Sequence, residues 1–285
     1  MNTIEEEQRG SLLAVFAHPD DESFGTGGTM AHYAAQNVRT GLVCATRGEA
    51  GEISDPSLAT QDSLAQVRED ELRCAAQALG VCELFVLDYR DSGMAGTPEN
   101  EDSRSLVQAD AEQVVGDLVA IIRRFRPTVV VTFEPGGGYG HPDHIAIHHH
   151  TVTAFHAAAD PAQFPGAGEP WQAERLYYTA IPRSFFVKMR EHLVAAGADI
   201  SEFERFDSDV IGWPDEDITA VIEVSDCIDA KWQALNCHRT QFGEDNFFRN
   251  LPDDVLKQMM SREHFARAWP EPEKGCCVSD LFADA

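Results

Sequence analysis

The hexapeptide AHPDDE at residues 17–22 follows directly on the apolar run Leu12, Leu13, Ala14, Val15 and Phe16. A run of that length suits a strand covered on both faces, and in open α/β sheets ligands bind at the carboxyl ends of strands. His18 and Asp21 stand three positions apart and can converge on a Zn2+ ion, which leaves the carboxylate between them, Asp20, free to handle a proton. The competing reading is a plain helix start, with Asp20 or Asp21 as its cap and Glu22 in its first turn. Burying several ionisable groups at a strand end is costly, which weighs toward the chemical reading.

A second segment of the same kind, GGGYGHPDHIAIHHH at 136–150, follows another predicted strand at 128–133. If the chain returns past its first strand after the third, strands one and four become neighbours and their carboxyl ends face one crevice. His18 and Asp21 then meet His144 there. Three protein ligands from two loops, with a fourth position left to water, is the pattern of a catalytic zinc site, whereas structural sites close all four positions and favour Cys. Gly136, Gly137, Gly138 and Gly140 admit backbone conformations barred to other residues, and they carry Tyr139 between them. His148, one helical turn after His144, is placed to support it.

The elements that must position these groups alternate. Strands are predicted at 12–16, 38–46, 84–87 and 128–133, with helices at 29–36, 64–79 and 106–125 between them. Such alternation implies a mainly parallel sheet with right-handed crossovers, an α/β fold of the doubly wound, Rossmann-like kind with helices on both faces. Beyond His150, a helix at 144–159 leads to strands near 176–181 and 218–224, and Asp226 is placed to cap a helix carrying Lys231, Leu235 and His238. Lys231 and a lone helical His238 read as a solvated and a structural side chain. A single domain is expected, with its core at about 11–242, an insertion at about 182–210 and a peripheral segment at about 265–285.

Composition narrows the function. The 285 residues carry 48 acids against 22 Lys and Arg, a net charge of −26 that repels nucleic acid and anionic membranes alike. No stretch approaches the length of a membrane span, and the amino terminus lacks a basic start followed by an apolar stretch, so a cytoplasmic protein is expected. The seven Cys are dispersed, without paired CxxC spacings, and read as reduced structural thiols.

Taken together, AHPDDE at 17–22, TRGEAGE at 46–52, YRDSGM at 89–94, GHPDH at 140–144 and HRTQ at 238–241 resemble the LmbE-like (PIG-L) family of zinc-dependent N-acetylglucosaminyl deacetylases. The resemblance spans about 12–242 and implies a Rossmann-like sheet, in agreement with the alternation of elements. It makes His18, Asp21 and His144 the metal ligands and Asp20 the general base. Tyr139 and His141 then assist the carbonyl oxygen and the leaving amine, and Arg68 and Asp91 contact the sugar. Family members are often oligomeric, so a homo-oligomer is compatible with the resemblance.

The expected reaction is hydrolysis of an N-acetyl group from an N-acetylglucosamine-containing metabolite or glycoconjugate, yielding acetate and a free amine. Asp143 is expected either to hold a protonated His141 or to cap the helix that follows it. One Zn2+ per chain is the first choice of metal, although nitrogen and oxygen ligands also accept Fe2+, Co2+ or Mn2+. A metal-dependent phosphoesterase, an amidase acting on a related thiol-sugar conjugate, or a noncatalytic sugar-binding module are the competing classes. The chain has no obvious Arg or Lys cluster for phosphate, and a binding module has no need of Asp20 beside an open metal position.

Overall fold

Every residue of the first strand, β1 (Ser11–Phe16), is buried, because its apolar side chains are covered on both faces of a sheet. The computed structural model describes residues 10–197, 200, 212–243, 246, 249 and 251–283. After β1 come α1 (Asp21–Gly25), α2 (Gly27–Ala35), β2 (Arg39–Cys44), α3 (Leu64–Ala78), β3 (Glu83–Val86), α4 (Ala111–Phe125) and β4 (Val129–Phe133). The second half runs α5 (Gly137–Gly140), α6 (Pro142–Ala157), β5 (Arg175–Thr179), α7 (Arg183–Ala196), β6 (Ala220–Glu223), α8 (Ile228–Cys237), α9 (Asp253–Met259) and β7 (Arg262–Trp269).

The strands form one seven-stranded sheet in the order β3-β2-β1-β4-β5-β7-β6. The pairs from β3 to β5 are parallel, and β7 runs antiparallel to both β5 and β6. This is the expected α/β architecture. The chain winds outward from β1 to β3 and then returns to place β4 on the other side of β1, in register from Leu12 opposite Val129 to Ala14 opposite Val131. The two strands therefore end side by side, which is where a doubly wound sheet opens its crevice.

Several sequence expectations are corrected. The helix predicted from 106 starts at Ala111, because Asp110 accepts the Gln113 N–H at 3.1 Å and caps it, while 106–108 form a separate 3₁₀ turn. Residues 265–269 are not peripheral, since β7 fills the sheet between β5 and β6, and Leu281 beyond it is fully buried. Of the predicted insertion, α7 packs Met189 and Leu193 against Leu235, Phe242 and Leu256 in a second apolar cluster, and 201–211 lie outside the described residues. Lys231 is buried and paired with Glu263 at 2.6 Å; that carboxylate also accepts the Gly28 and Thr29 N–H groups and so pins the start of α2 to β7. Asp226 belongs to a 3₁₀ turn ahead of α8 and does not cap it. Cys74 and Cys237 are joined in a disulfide that ties α3 to α8, leaving five of the seven thiols free. No helix among the described residues is long and apolar enough to cross a membrane.

Candidate metal centre

The centre forms where the loops after β1 and β4 meet. His18 Nδ1 lies 3.2 Å from His144 Nε2, and the Asp21 carboxylate reaches both, at 3.5 Å from His18 Nδ1 and 3.2 Å from His144 Nε2. Donor atoms about 2.0–2.1 Å from a tetrahedral ion stand about 3.3 Å from one another, so this spacing fits one small cation. The outer ring nitrogens are committed. His144 Nδ1 donates to the Gly137 carbonyl at 3.0 Å, which leaves a lone pair on Nε2. His18 Nε2 faces Asp143 Oδ2 at 3.2 Å and Asp91 Oδ1 at 3.5 Å, which leaves its lone pair on Nδ1. The His144 ring also stacks flat on Phe133, the last residue of β4, with centroids 4.0 Å apart.

The backbone shapes this pocket. Gly137 has φ +65°, and a Cβ there would stand 2.8 Å from the His144 Cβ, so the carbonyl that orients His144 requires glycine. Asp20 is not a glycine yet holds φ +101°, a conformation that costs about 1–3 kcal/mol and persists only where the surroundings enforce it. Arg68 on α3 enforces it from one side, donating to the Pro19 carbonyl at 2.6 Å and to Asp20 Oδ2 at 3.2 Å, with its other amino group on the Gly48 carbonyl. AHPDDE does start a helix, with Asp20 at the N-cap position of α1 and Asp21 and Glu22 in its first turn, but the Asp20 side chain makes no capping hydrogen bond.

Electrostatics separate the two aspartates. Loss of solvation lifts Asp20 to about 6 although Arg68 pulls the other way, as suits a base working near neutral pH. Burial also acts on Asp21, but the His144 and His18 imidazoles outweigh it and hold that carboxylate well below its ordinary range. Burial and the neighbouring His18 and His144 draw His141 down to about 4.

Asp143 corrects an expectation. It neither grips the His141 imidazole nor caps α6 with its side chain; its carboxylate accepts the Ser92 N–H at 2.8 Å and the Ser92 hydroxyl, and it faces His18. His141 itself caps α6, its Nδ1 accepting the Asp143 N–H at 3.1 Å, so a neutral ring carries its proton on Nε2. The His141 ring lies 4.6 Å from that of His18 and 5.0 Å from that of His144, and one nitrogen from each of the three falls within a 4.8 Å group. Asp91 and Asp143 form a similar group with His18, but Asp143 is already occupied by Ser92 and Asp91 by the Ala50 and Gly93 N–H groups. Tyr139 is 52% exposed at the rim, its ring 5.2 Å from that of His144. His148 turns away from His144 and bonds the Phe133 carbonyl at 2.7 Å.

Three further groups escape a reading of the sequence. Ser92 holds Asp143; Glu22, fully buried, binds the Asp20 N–H at 3.0 Å; and His238 reaches Glu22 at 2.7 Å from the far end of the chain. The HRTQ run and the last letter of AHPDDE were the available signals, but a lone His and a first-turn Glu carry no mark of their partners.

Residues 13–155 match the family described as PIG-L, GlcNAc-PI de-N-acetylase. The chain is 38% identical over 286 residues to a 1D-myo-inositol 2-acetamido-2-deoxy-alpha-D-glucopyranoside deacetylase of Geodermatophilus obscurus, covering 95% of this chain and 97% of that protein. It is 42% identical over 287 residues to the protein of that name from Acidothermus cellulolyticus, covering 96% and 94%. Among solved structures, the N,N'-diacetylchitobiose deacetylase from Pyrococcus horikoshii shares the fold with a TM-score of 0.64 at 20% identity, over 93% of this chain and 84% of that one. A Rossmann-like sheet with a buried His and Asp group at its crevice, and matches of this extent, place the chain in the PIG-L family of N-deacetylases.

Proposed function

We propose that this PIG-L family member hydrolyses the acetamide of an N-acetylglucosamine linked to inositol, releasing acetate and the free amine. The coarse activity, removal of an N-acetyl group from an N-acetylglucosamine-containing metabolite, belongs to the family; the inositol aglycone is supported by the similarity to the Geodermatophilus obscurus and Acidothermus cellulolyticus deacetylases. The observation that carries the reading is the pair of ring nitrogens His18 Nδ1 and His144 Nε2, 3.2 Å apart, with one oxygen of the Asp21 carboxylate 3.5 Å from the first and the other 3.2 Å from the second, and with the Asp20 carboxylate next to it in sequence.

Two imidazoles and a carboxylate with a position left open suit Zn2+, and Fe2+, Co2+ or Mn2+ fit the same donors. When bound, such an ion polarises the acetamide oxygen and acidifies water. Asp20, raised to about 6, accepts the water proton and passes it to the departing nitrogen. His141 serves as a neutral donor from Nε2, and the Tyr139 hydroxyl is the second donor to the developing oxyanion. Asp143 and Asp91 fix the His18 ring, and the guanidinium of Arg68 steadies Asp20 while its Nε atom has no partner among the described residues.

The test is acetate release from the inositol glucosaminide, from N,N'-diacetylchitobiose and from free N-acetylglucosamine, with and without a chelator. The expected result is turnover of the inositol conjugate above the other two, lost to chelator and restored by Zn2+. Absence of acetate from every one of these substrates by the metal-loaded protein overturns the activity, and preference for chitobiose overturns the aglycone.

A further inference from the structure

The His238 imidazole comes from 216 residues beyond Glu22 to donate from Nε2 to Glu22 Oε1 at 2.7 Å, and both side chains are fully buried. The other oxygen of the same carboxylate accepts the backbone N–H of Asp20 at 3.0 Å. That N–H belongs to the one residue of the loop with a positive φ, so the backbone amide of Asp20 is fixed in a conformation that an L residue does not adopt unaided. From the opposite side the peptide is gripped at the Pro19 carbonyl by Arg68. The loop is thus clamped at both ends of one peptide unit, by a cation on α3 and by a carboxylate that is itself held from beyond α8.

We propose that Glu22 and His238 form a latch that positions Asp20, making His238 a positioning residue for the reaction even though it touches neither substrate nor metal-binding atoms. The inference rests on the reading of Asp20 as the base. A buried carboxylate without a partner is costly, and His238 is the group that compensates Glu22. Ser23 adds a hydroxyl to Glu22 Oε1 at 2.5 Å, but it lies on α1 and cannot anchor the loop to another part of the fold. His238 can, because it stands at the end of α8. Two residues on, Thr240 binds both oxygens of Glu71 on α3 through its N–H at 2.9 Å and its hydroxyl at 2.6 Å. Glu71 lies three residues after Arg68 on α3, and the Cys74–Cys237 disulfide joins the same two elements. The 238–240 segment and α3 are therefore one brace, and Asp20 is held between the ends of its arms.

The experiment compares four variants under metal-loaded conditions: Asp20→Asn, Glu22→Gln, His238→Leu, which keeps the volume and removes the donor, and His238→Gln, whose amide still donates to Glu22. We expect Asp20→Asn to be inactive. His238→Leu and Glu22→Gln should each lose at least about tenfold in kcat with KM and metal content per chain held within about twofold, because the fault lies in the placement of the base. His238→Gln should return kcat to within about threefold of the parent. A loss that follows metal content or KM, or equal kcat values in His238→Leu and His238→Gln, overturns the latch. So does a fully active His238→Leu beside an inactive Asp20→Asn. A fully active Asp20→Asn instead overturns the base assignment on which the latch rests. If His238→Leu fails to fold, Glu22→Gln set against His238→Gln makes the same contrast.

Discussion

The loops after β1 and β4 both end buried parallel strands, yet they are built in opposite ways. In the first, the His18 N–H is bonded to Asp21, the Asp20 N–H to Glu22 and the Pro19 carbonyl to Arg68, so a strained backbone is fixed by side chains of the adjoining α1 and by Arg68 from α3. In the second, a Cβ at Gly138 or Gly140 would meet nothing within 4 Å, and Tyr139 between them is half exposed. The first loop carries the groups that the proposed reaction needs settled before substrate arrives: two proposed ligands, His18 and Asp21, and the proposed base, Asp20. The second combines a rigid part, Gly137 to His144 packed on Phe133, with an open rim. Preorganisation is concentrated where charge must be placed, and freedom is left where a bulky sugar must enter.

The largest effects should come from the shared centre. His144→Ala removes a proposed ligand and frees the Gly137 carbonyl, and on that proposal the loss of the ion's several kcal/mol should cut kcat/KM by about a thousandfold or more, checked by acetate release and by metal content per chain. At the open rim, Tyr139→Phe should lower kcat about a hundredfold by deleting one oxyanion donor. Its metal content and Tm should match the parent, since the side chain is half exposed. If Tyr139→Phe instead released metal or lowered Tm, the contrast between a fixed loop and an open one would fail.

Much of this arrangement was legible in the sequence, for a physical reason. The apolar runs at Leu12 and at Val129 demand cover on both faces, and alternation with helices dictates the crossover that makes β1 and β4 neighbours. His18, Asp21 and His144 come together as a consequence of topology. What stayed hidden depends on pairs of charges far apart in the chain. β7 reads REHFARAW and resembles a surface segment; it lies between β5 and β6, and its buried Glu263 is paired with Lys231, a pairing that neither residue announces. Asp143 was expected beside His141, its neighbour in sequence, but the helix start turns the side chains apart and Ser92 takes the carboxylate. The Cys74–Cys237 bond bridges 163 residues between two helices with no spacing signal.

A glycine exchange sharpens the comparison within the second loop. Gly137→Ala and Gly140→Ala both place an L residue at positive φ, +65° and +86°, at a cost of about 1–2 kcal/mol each. Only at 137 does the new methyl collide with His144 and the Ile145 amide, adding about 1–3 kcal/mol of overpacking. Thermal unfolding should therefore rank Gly137→Ala well below Gly140→Ala, and metal titration should show weaker binding in the first variant alone.

The smallest effect tests the anchoring of the first loop. Burial draws the His238 imidazole down, but the Glu22 carboxylate more than offsets this, so in the folded protein the ring holds its proton above its ordinary pKa of 6.5. A group whose folded pKa is raised contributes its stabilisation in full below the unfolded value and loses it as pH climbs through the folded value. The parent should therefore lose part of its thermal stability as pH rises from about 6.5, and this part of the slope should vanish in His238→Gln, which does not titrate. Subtracting the two Tm profiles isolates the contribution. The second loop has no counterpart, because what fixes His144 there is a backbone carbonyl. A parent-minus-variant difference that stayed flat from pH 6 to well above neutrality would mean that a neutral imidazole holds Glu22 as well as a charged one, and that the charge on His238 adds nothing to the anchoring of the first loop.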